Sequence, residues 1–470
     1  MESADLLIQH ATLITMDEKR RILPDGVLVV QGDRIVAVGT AEELKGRYQA
    51  TRVIDARNRY VFPGFANTHS HLFQGALKGL GRDKTLFDWL DSSVRFALPE
   101  TGYDVMYAAA LVGCIENLRS GTTTLLDYQY AHAHEAGLDD AVTRAMEETG
   151  IRGILGRAHT DVSRMPEGAQ CPRVETEQDF FDDVDRLQAI YKDHSRISVC
   201  LAPGIIWDLT EEGYRTCRQY ADRYGMVITM HTLETEDDNR YAQETYGMNT
   251  MPFLARTGVL GPDFLAVHCV DMDEEDFRLF REYDIKVSHN PISNMILASG
   301  VAPVPRMLRE GLTVSLASDG SASNDTQDMM EVLKTSALIH KCHLRDATAV
   351  PAATALEMAT LGGARATGLE KETGSLSAGK KADFWIMNPL TARCVPVADP
   401  VSAVVYHASQ QNVETTVVDG RVVLDHGKIT TVDEEAALWT LQEAAFRLRD
   451  KVGLGNTQWN QPVLVGPFVK

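Results

Sequence analysis

Over the first fifty or so residues, short apolar runs alternate with polar positions: Leu7-Ile8, Leu13-Ile14, Gly26 to Val30, Arg34 to Val38 and Val53-Ile54, broken by Gly32-Asp33 and Gly39. This patterning, cut by turn residues, predicts strands. The pattern returns late in the chain at Asp383 to Met387, Val401 to Tyr406, Glu414 to Val418 and Arg421 to Leu424. Asp419-Gly420 between the last two predicts a type I′ hairpin, because that turn needs positive φ at both central positions. Both ends are expected to share one small β-sandwich module, made of residues 1–58 and 376–430.

Between them, β-rich segments alternate with amphipathic helical ones. The segments are Tyr60 to Ala66, Thr122 to Asp127, Arg152 to His159, Ile197 to Ala202, Met226 to Thr232, Phe264 to Val270, Ile285 to Asn290 and Leu312 to Asp319, eight in all. Runs as continuously apolar as Ile197-Ser-Val-Cys-Leu-Ala202 suit parallel strands buried on both faces, with helices as the crossovers. Strand then helix, eight times, predicts an α/β fold, a (β/α)8 TIM barrel over residues 59–375. The alternative is an open doubly wound sheet, but no Gly-x-Gly-x-x-Gly follows the first strand to support its dinucleotide-binding form. Acids at Asp433-Glu434-Glu435 predict a helix start, with the helix running to about Lys451 within a C-terminal piece, 431–470. The tail from Gly453 to Lys470 is expected to drape over a surface.

The chemistry lies at the ends of the predicted barrel strands. Asn67-Thr68-His69-Ser70-His71 follows the first, His231 ends the fifth, His268 the sixth, His289 the seventh and Asp319 the eighth. Alternation across a strand points His69 and His71 the same way, and a barrel gathers all its strand ends at one mouth. Imidazoles with one carboxylate make a nitrogen and oxygen site suited to Zn²⁺ or Fe²⁺, with Zn²⁺ favoured by the Irving–Williams order. Such an ion needs one position left for water, which it makes nucleophilic. Glu234 stands three residues beyond His231, within reach of that water or of a substrate nitrogen. Glu236, Asp237 and Asp238 are read as solvated loop charge.

These residues also carry a family resemblance. Asn67 to His71, His231-x-x-Glu234, His268, Ser288-His-Asn-Pro-Ile-Ser-Asn294, Ser318-Asp-Gly-Ser-Ala-Ser-Asn-Asp325, Ala359 to Arg365 and Gly374 to Asp383 resemble the amidohydrolase superfamily. More narrowly they look like its chlorohydrolase and aminohydrolase branch, which includes triazine hydrolases, 8-oxoguanine and isoxanthopterin deaminases, and thioadenosine/adenosylhomocysteine deaminases. The resemblance implies one divalent ion held by His69, His71, His231 and Asp319, with His268 either ligating too or hydrogen-bonding the water. Ile197 to Ala202 contains no lysine for the carbamylated bridge of two-metal branches. The implied reaction is hydrolytic deamination of an aminated N-heterocycle such as an aminopurine, pterin or s-triazine. In it activated water attacks the amino-bearing carbon, Glu234 protonates the adjacent ring nitrogen, Asp319 relays a proton to departing ammonia and His268 stabilises the adduct. The alternative reading keeps the site and changes the leaving group, to chloride or alkylamine on an s-triazine, or to a carbamate or urea fragment. A non-catalytic scaffold is the third, and every ligand and acid being in place argues against it.

A flat heterocycle wants aromatic walls and polar groups for its ring edge. The candidates are Gln74, Trp89, Gln129, His159, Trp207, His289, Asn294, Ser321 and Asn324, the last also a possible cap for a helix from Asp325 to Ile339. Composition changes the picture at the margins. A net charge of −20 with no compensating basic stripe argues against nucleic-acid and anionic-membrane partners. No apolar run approaches the ~20 residues a membrane span requires. Seven scattered cysteines with no Cys-x-x-Cys indicate reduced thiols, not a disulfide framework. The expected setting is cytoplasmic, with a small-molecule substrate, as a homo-oligomer, dimer or tetramer.

Overall fold

The computed structural model describes residues 1–159 and 172–453 of the chain. The tail beyond Gly453 and Cys171 lie outside the described residues. Eight parallel strands form one sheet in chain order: Phe65–Ser70, Thr122–Gln129, Arg152–Ala158, Ile197–Ala202, Ile228–Thr232, Phe264–His268, Lys286–His289 and Val314–Leu316. Helices fill the connections, and several carry their own start signals. Thr176 and Asp179 form a capping box for Glu177–Tyr191, and Thr210 caps Glu211–Tyr224.

Individual bonds join the first and last strands. Asp319 N–H donates to His69 O (3.0 Å), Ser318 N–H to Asn67 Oδ1 (3.0 Å), and Thr68 Oγ1 lies 2.8 Å from Ser315 Oγ. Asn67 also donates to Asn117 Oδ1 (3.0 Å) and Ser318 Oγ (2.7 Å). The motif that carries two candidate ligands therefore also ties the barrel shut.

The terminal segments build a second, mixed sheet of nine strands. Glu2–Ile14 is its long central strand, paired with Ile22–Gln31, Tyr48–Asp55 and Tyr60–Pro63. Phe384–Met387 joins the two halves by pairing with Tyr60–Pro63 on one side and Val413–Val418 on the other. The hairpin turn forms as expected, with Asp419 and Gly420 at φ 52° and 76°. Two expectations shift. The run from Tyr60 to Ala66 splits at Pro63-Gly64, giving Tyr60–Pro63 to this sheet and starting the first barrel strand at Phe65. Val401 to Tyr406 is helical, because Asp399 accepts from Val401 N–H and Ser402 N–H and Pro400 presets the first turn, start signals that outweigh the valines. The last helix spans Glu434–Lys451 with Asp433 as its cap. Among the described residues no helix is long and apolar enough to cross a membrane.

Trp385 wedges between the two sheets, stacked on Phe62 (5.0 Å between ring centres) and edge-on to Phe65 (5.4 Å). Gly121 makes room for it: φ is +83°, and a Cβ there would sit 2.9 Å from the indole. Beside the wedge, buried Arg152 donates to Asp383 (2.6 Å) and Asp419 (2.9 Å), and Lys381 reaches Asp419 (3.0 Å). Removing one partner of such a buried pair strands the other charge, at about 3–5 kcal/mol. Asp383→Ala should therefore lower the unfolding midpoint sharply while leaving catalytic groups in place; an unchanged midpoint would show that the ion network does not hold barrel and sheet together.

Candidate active site

The expected ligands sit at or just beyond the C-terminal ends of four strands. His69 closes the first strand and His71 follows it, while His231, His268 and Asp319 come from the fifth, sixth and eighth. His71 Nε2 and His231 Nε2 lie 3.3 Å apart. Asp319 Oδ1 lies 3.4 Å from His71 Nε2 and 3.6 Å from His69 Nε2, and Asp319 Oδ2 is 3.9 Å from His268 Nε2. Donor atoms of His69, His231 and His268, and those of His69, His71 and Asp319, fall within 4.8 Å of one another.

These residues fit a divalent metal ion. Both ring nitrogens of His69 are buried and have no hydrogen-bond partner, a cost that coordination through one of them would lower. Burial, reinforced by the neighbouring imidazoles, pushes His69 and His231 well below the ordinary histidine range, and burial lowers His71 despite Asp319. Neutral rings are the form that ligates. The nitrogens are also aimed from behind. Tyr128 O lies 2.7 Å from His71 Nδ1, and Asn294 Oδ1 lies 2.9 Å from His268 Nδ1, so each ring turns Nε2 toward its neighbours. His268 and Asp319 adopt left-handed backbone, φ 74° and 65°, strain of about 1–3 kcal/mol each that the surrounding bonds hold in place.

Glu234 is buried 3.5 Å from His268 Nε2, and Ser299 Oγ donates to it (3.3 Å). Burial raises its pKa above the ordinary glutamate range, opposed by His268. Asp238 is a correction to the reading of solvated loop charge. It is buried, accepts Glu234 N–H (3.0 Å) and is pushed up to about 8 by burial and by Glu234. Its place at the start of helix Glu236–Tyr246, one turn beyond Glu234, turns it back into the site.

The cavity above these groups is lined by Gln74, Trp89, His159 and Trp207 among the expected residues. Gln74 Oε1 accepts from Ala322 N–H (3.3 Å) and Trp89 Nε1 donates to Ala322 O (3.1 Å), so both also brace the loop after the eighth strand. The other five point elsewhere. Gln129 alternates outward on its strand and meets Met106 Sδ, while Tyr128 and Tyr130 on either side line the cavity. His289 Nε2 faces His340 Nε2 (3.2 Å), and Asn294 serves His268. Ser321 Oγ accepts from Gln327 Nε2 (3.3 Å). Asn324 donates to Ser318 O (2.6 Å), and the helix it was expected to cap begins at Met329 under Asp328. Beyond Tyr128 and Tyr130, sequence reasoning missed Leu86, Phe87, Leu90, Val94, Leu98, Ile205 and Leu297, an apolar wall whose helical and loop positions carry no distinguishing signal.

The family model "Amidohydrolase family" matches residues 60–423, and a bacterial "Imidazolonepropionase-like composite domain" matches 26–48. The 5-methylthioadenosine/S-adenosylhomocysteine deaminase 1 of Syntrophus aciditrophicus is 32% identical over 454 residues, 96% of this chain and 99% of that protein. The 5'-deoxyadenosine deaminase of Methanosarcina acetivorans is 34% identical over 446 residues, 95% and 98% of the two chains. Among solved structures, a zinc-bound adenosine deaminase from Xanthomonas campestris superposes with a TM-score of 0.89 at 26% identity, covering 96% of this chain and 99% of that one. An atrazine chlorohydrolase from Arthrobacter aurescens TC1, complexed with zinc, gives 0.85 at 25% identity, covering 94% and 100%. With this barrel, donor set and match, the chain belongs to the amidohydrolase family.

Elemental analysis of the purified protein should find about one divalent ion per chain, and His69→Ala or His231→Ala should lose both ion and turnover. Two tightly held ions would contradict a site without a strand-four lysine.

Proposed function

We propose that the protein is a metal-dependent aminohydrolase that removes the ring amino group of an adenine nucleoside lacking a 5'-hydroxyl, releasing ammonia. The observation that carries the reading is the meeting of Glu234, His268 and Asp319 on the cavity floor, three proton-handling groups around one cation site. The substrate class draws on relatives at 32% and 34% identity, whose names are those of adenine-nucleoside deaminases. Zn²⁺ is the proposed ion, since the zinc-bound neighbours share the fold.

When bound, the ion supplies the Lewis acidity that makes water a nucleophile near neutral pH. The side chains move the protons. Asp319 takes a proton from the attacking water as the new C–O bond forms at the amino-bearing carbon. Glu234, its pKa raised by burial, stays protonated above the range of an ordinary glutamate and gives its proton to the adjacent ring nitrogen. Asp319 then passes its proton to the amino group as the new hydroxyl returns a proton to Glu234, so the C–N bond breaks, ammonia leaves, and a ring carbonyl beside the protonated nitrogen remains. Asn294 bears on the role expected for His268. With Nδ1–H donated to Asn294 Oδ1, neutral His268 offers Nε2 as an acceptor or ligand, and can donate to the adduct only when the ring carries both protons. The same groups would expel chloride or alkylamine from a triazine; the closer identity to nucleoside deaminases favours ammonia.

Ammonia release over a panel of 5'-deoxyadenosine, methylthioadenosine, an aminotriazine and a chlorotriazine tests the reading, with the nucleosides expected to dominate; chloride release alone would overturn it. Glu234→Gln should keep the ion and bind substrate while kcat falls by ~10² to 10⁴. Asp319→Asn should lose turnover and ion affinity together. Near-normal turnover in Glu234→Gln would remove Glu234 from the proton path.

A further inference from the structure

The third barrel strand ends in Arg157-Ala158-His159, and its charged residues form a buried system that the proton path above leaves unused. Arg157 is fully buried, with Nη2 2.5 Å from Glu175 and Nε 2.8 Å from Asp183 and 3.5 Å from Asp139. Arg173 adds a second cation to Glu175 (2.9 Å), and His132 pairs with Asp139 (2.9 Å). Burial alone would raise the Glu175 pKa, but His132 and Arg157 hold it well below the ordinary range. Taking this many charges out of water costs desolvation that apolar packing would avoid, so the return lies in fixed orientation.

The system ends at the cavity wall. Glu175 Oε2 lies 3.2 Å from His159 Nδ1, and His159 lines the cavity. An ionised carboxylate is acceptor-only, so Nδ1 carries the proton, and Nε2, when it carries none, is an acceptor at the cavity wall. The polar neighbours in the wall have other duties. Gln74 holds Ala322 and Tyr130, Arg95 pairs with Asp91 (2.5 Å), and Asp208 accepts Ile205 N–H (2.8 Å). Phe87, Trp89 and Trp207 supply flat apolar surface.

Resting on the nucleoside reading, we propose that His159 Nε2 accepts a hydrogen bond from a sugar hydroxyl of the substrate, making His159 the residue that distinguishes a nucleoside from a bare or less hydroxylated base. A buried acceptor left unpaired is costly, so an analogue without the hydroxyl should be disfavoured by roughly ten- to a hundredfold.

The test measures kcat/KM of wild type, His159→Leu and His159→Gln on 5'-deoxyadenosine and on its 2'- and 3'-deoxy derivatives. Wild type should prefer the fully hydroxylated sugar over one of the two by roughly ten- to a hundredfold. His159→Leu should lose that preference, mainly through KM, while retaining turnover of the disfavoured derivative, which itself reports an intact fold. His159→Gln, which restores an acceptor, should recover part of it. Turnover of all three nucleosides by wild type without preference overturns the assignment alone, as does a preference unchanged in His159→Leu. Failure of wild type to deaminate any of them, with turnover of another heterocycle, overturns the nucleoside reading and this assignment with it.

Discussion

Histidine nitrogens crowded together at one barrel mouth call for a cation among them. Two Nε2 atoms lie 3.3 Å apart, and a third ring has neither nitrogen bonded. Protonating the rings would put like charges side by side, and burial already holds His69, His71 and His231 below the ordinary histidine range. The rest of the fold is arranged around keeping that unfavourable set in place. The bonds from Asp319 N–H to His69 O and from Ser318 N–H to Asn67 Oδ1 close the barrel through the ligand-bearing segments themselves. Two site residues in left-handed backbone, His268 and Asp319, store strain that a looser barrel would release.

The carboxylates divide the labour according to their surroundings. Asp319 stands between His69, His71 and His268, where the proposed cation would sit, whereas burial raises the pKa of Glu234, with Ser299 donating to it. Asn294 and Tyr128 contribute from behind by fixing which ring nitrogens face inward. Above the floor the wall is mostly apolar, interrupted on the third strand by the His159 and Glu175 pair.

The barrel and the convergence of the candidate ligands were legible in sequence because several strand ends present a histidine or aspartate after an apolar run, and strand ends in a barrel must meet. The misses have local causes. Tyr60 to Ala66 reads as one strand by hydrophobicity, yet Pro63-Gly64 breaks it and hands its halves to different sheets. Val401 to Tyr406 reads as a strand by its valines, and Asp399-Pro400 overrules them. Gln129 offers a suitable amide, yet alternation along the strand turns Tyr128 and Tyr130 to the cavity instead. His289 depends on a tertiary partner, His340, that nothing in its own neighbourhood announces, whereas Asp238 is turned to the Glu234 backbone by the helix that starts at Glu236.

Anomalous diffraction from crystals of the purified protein, recorded across the zinc and iron absorption edges, tests the central claim most directly. The account predicts a single peak per chain, enclosed by His69, His71, His231 and Asp319, with His268 Nε2 facing it. Two peaks, or a peak outside this cluster, would contradict the claim that these strand ends exist to hold one cation.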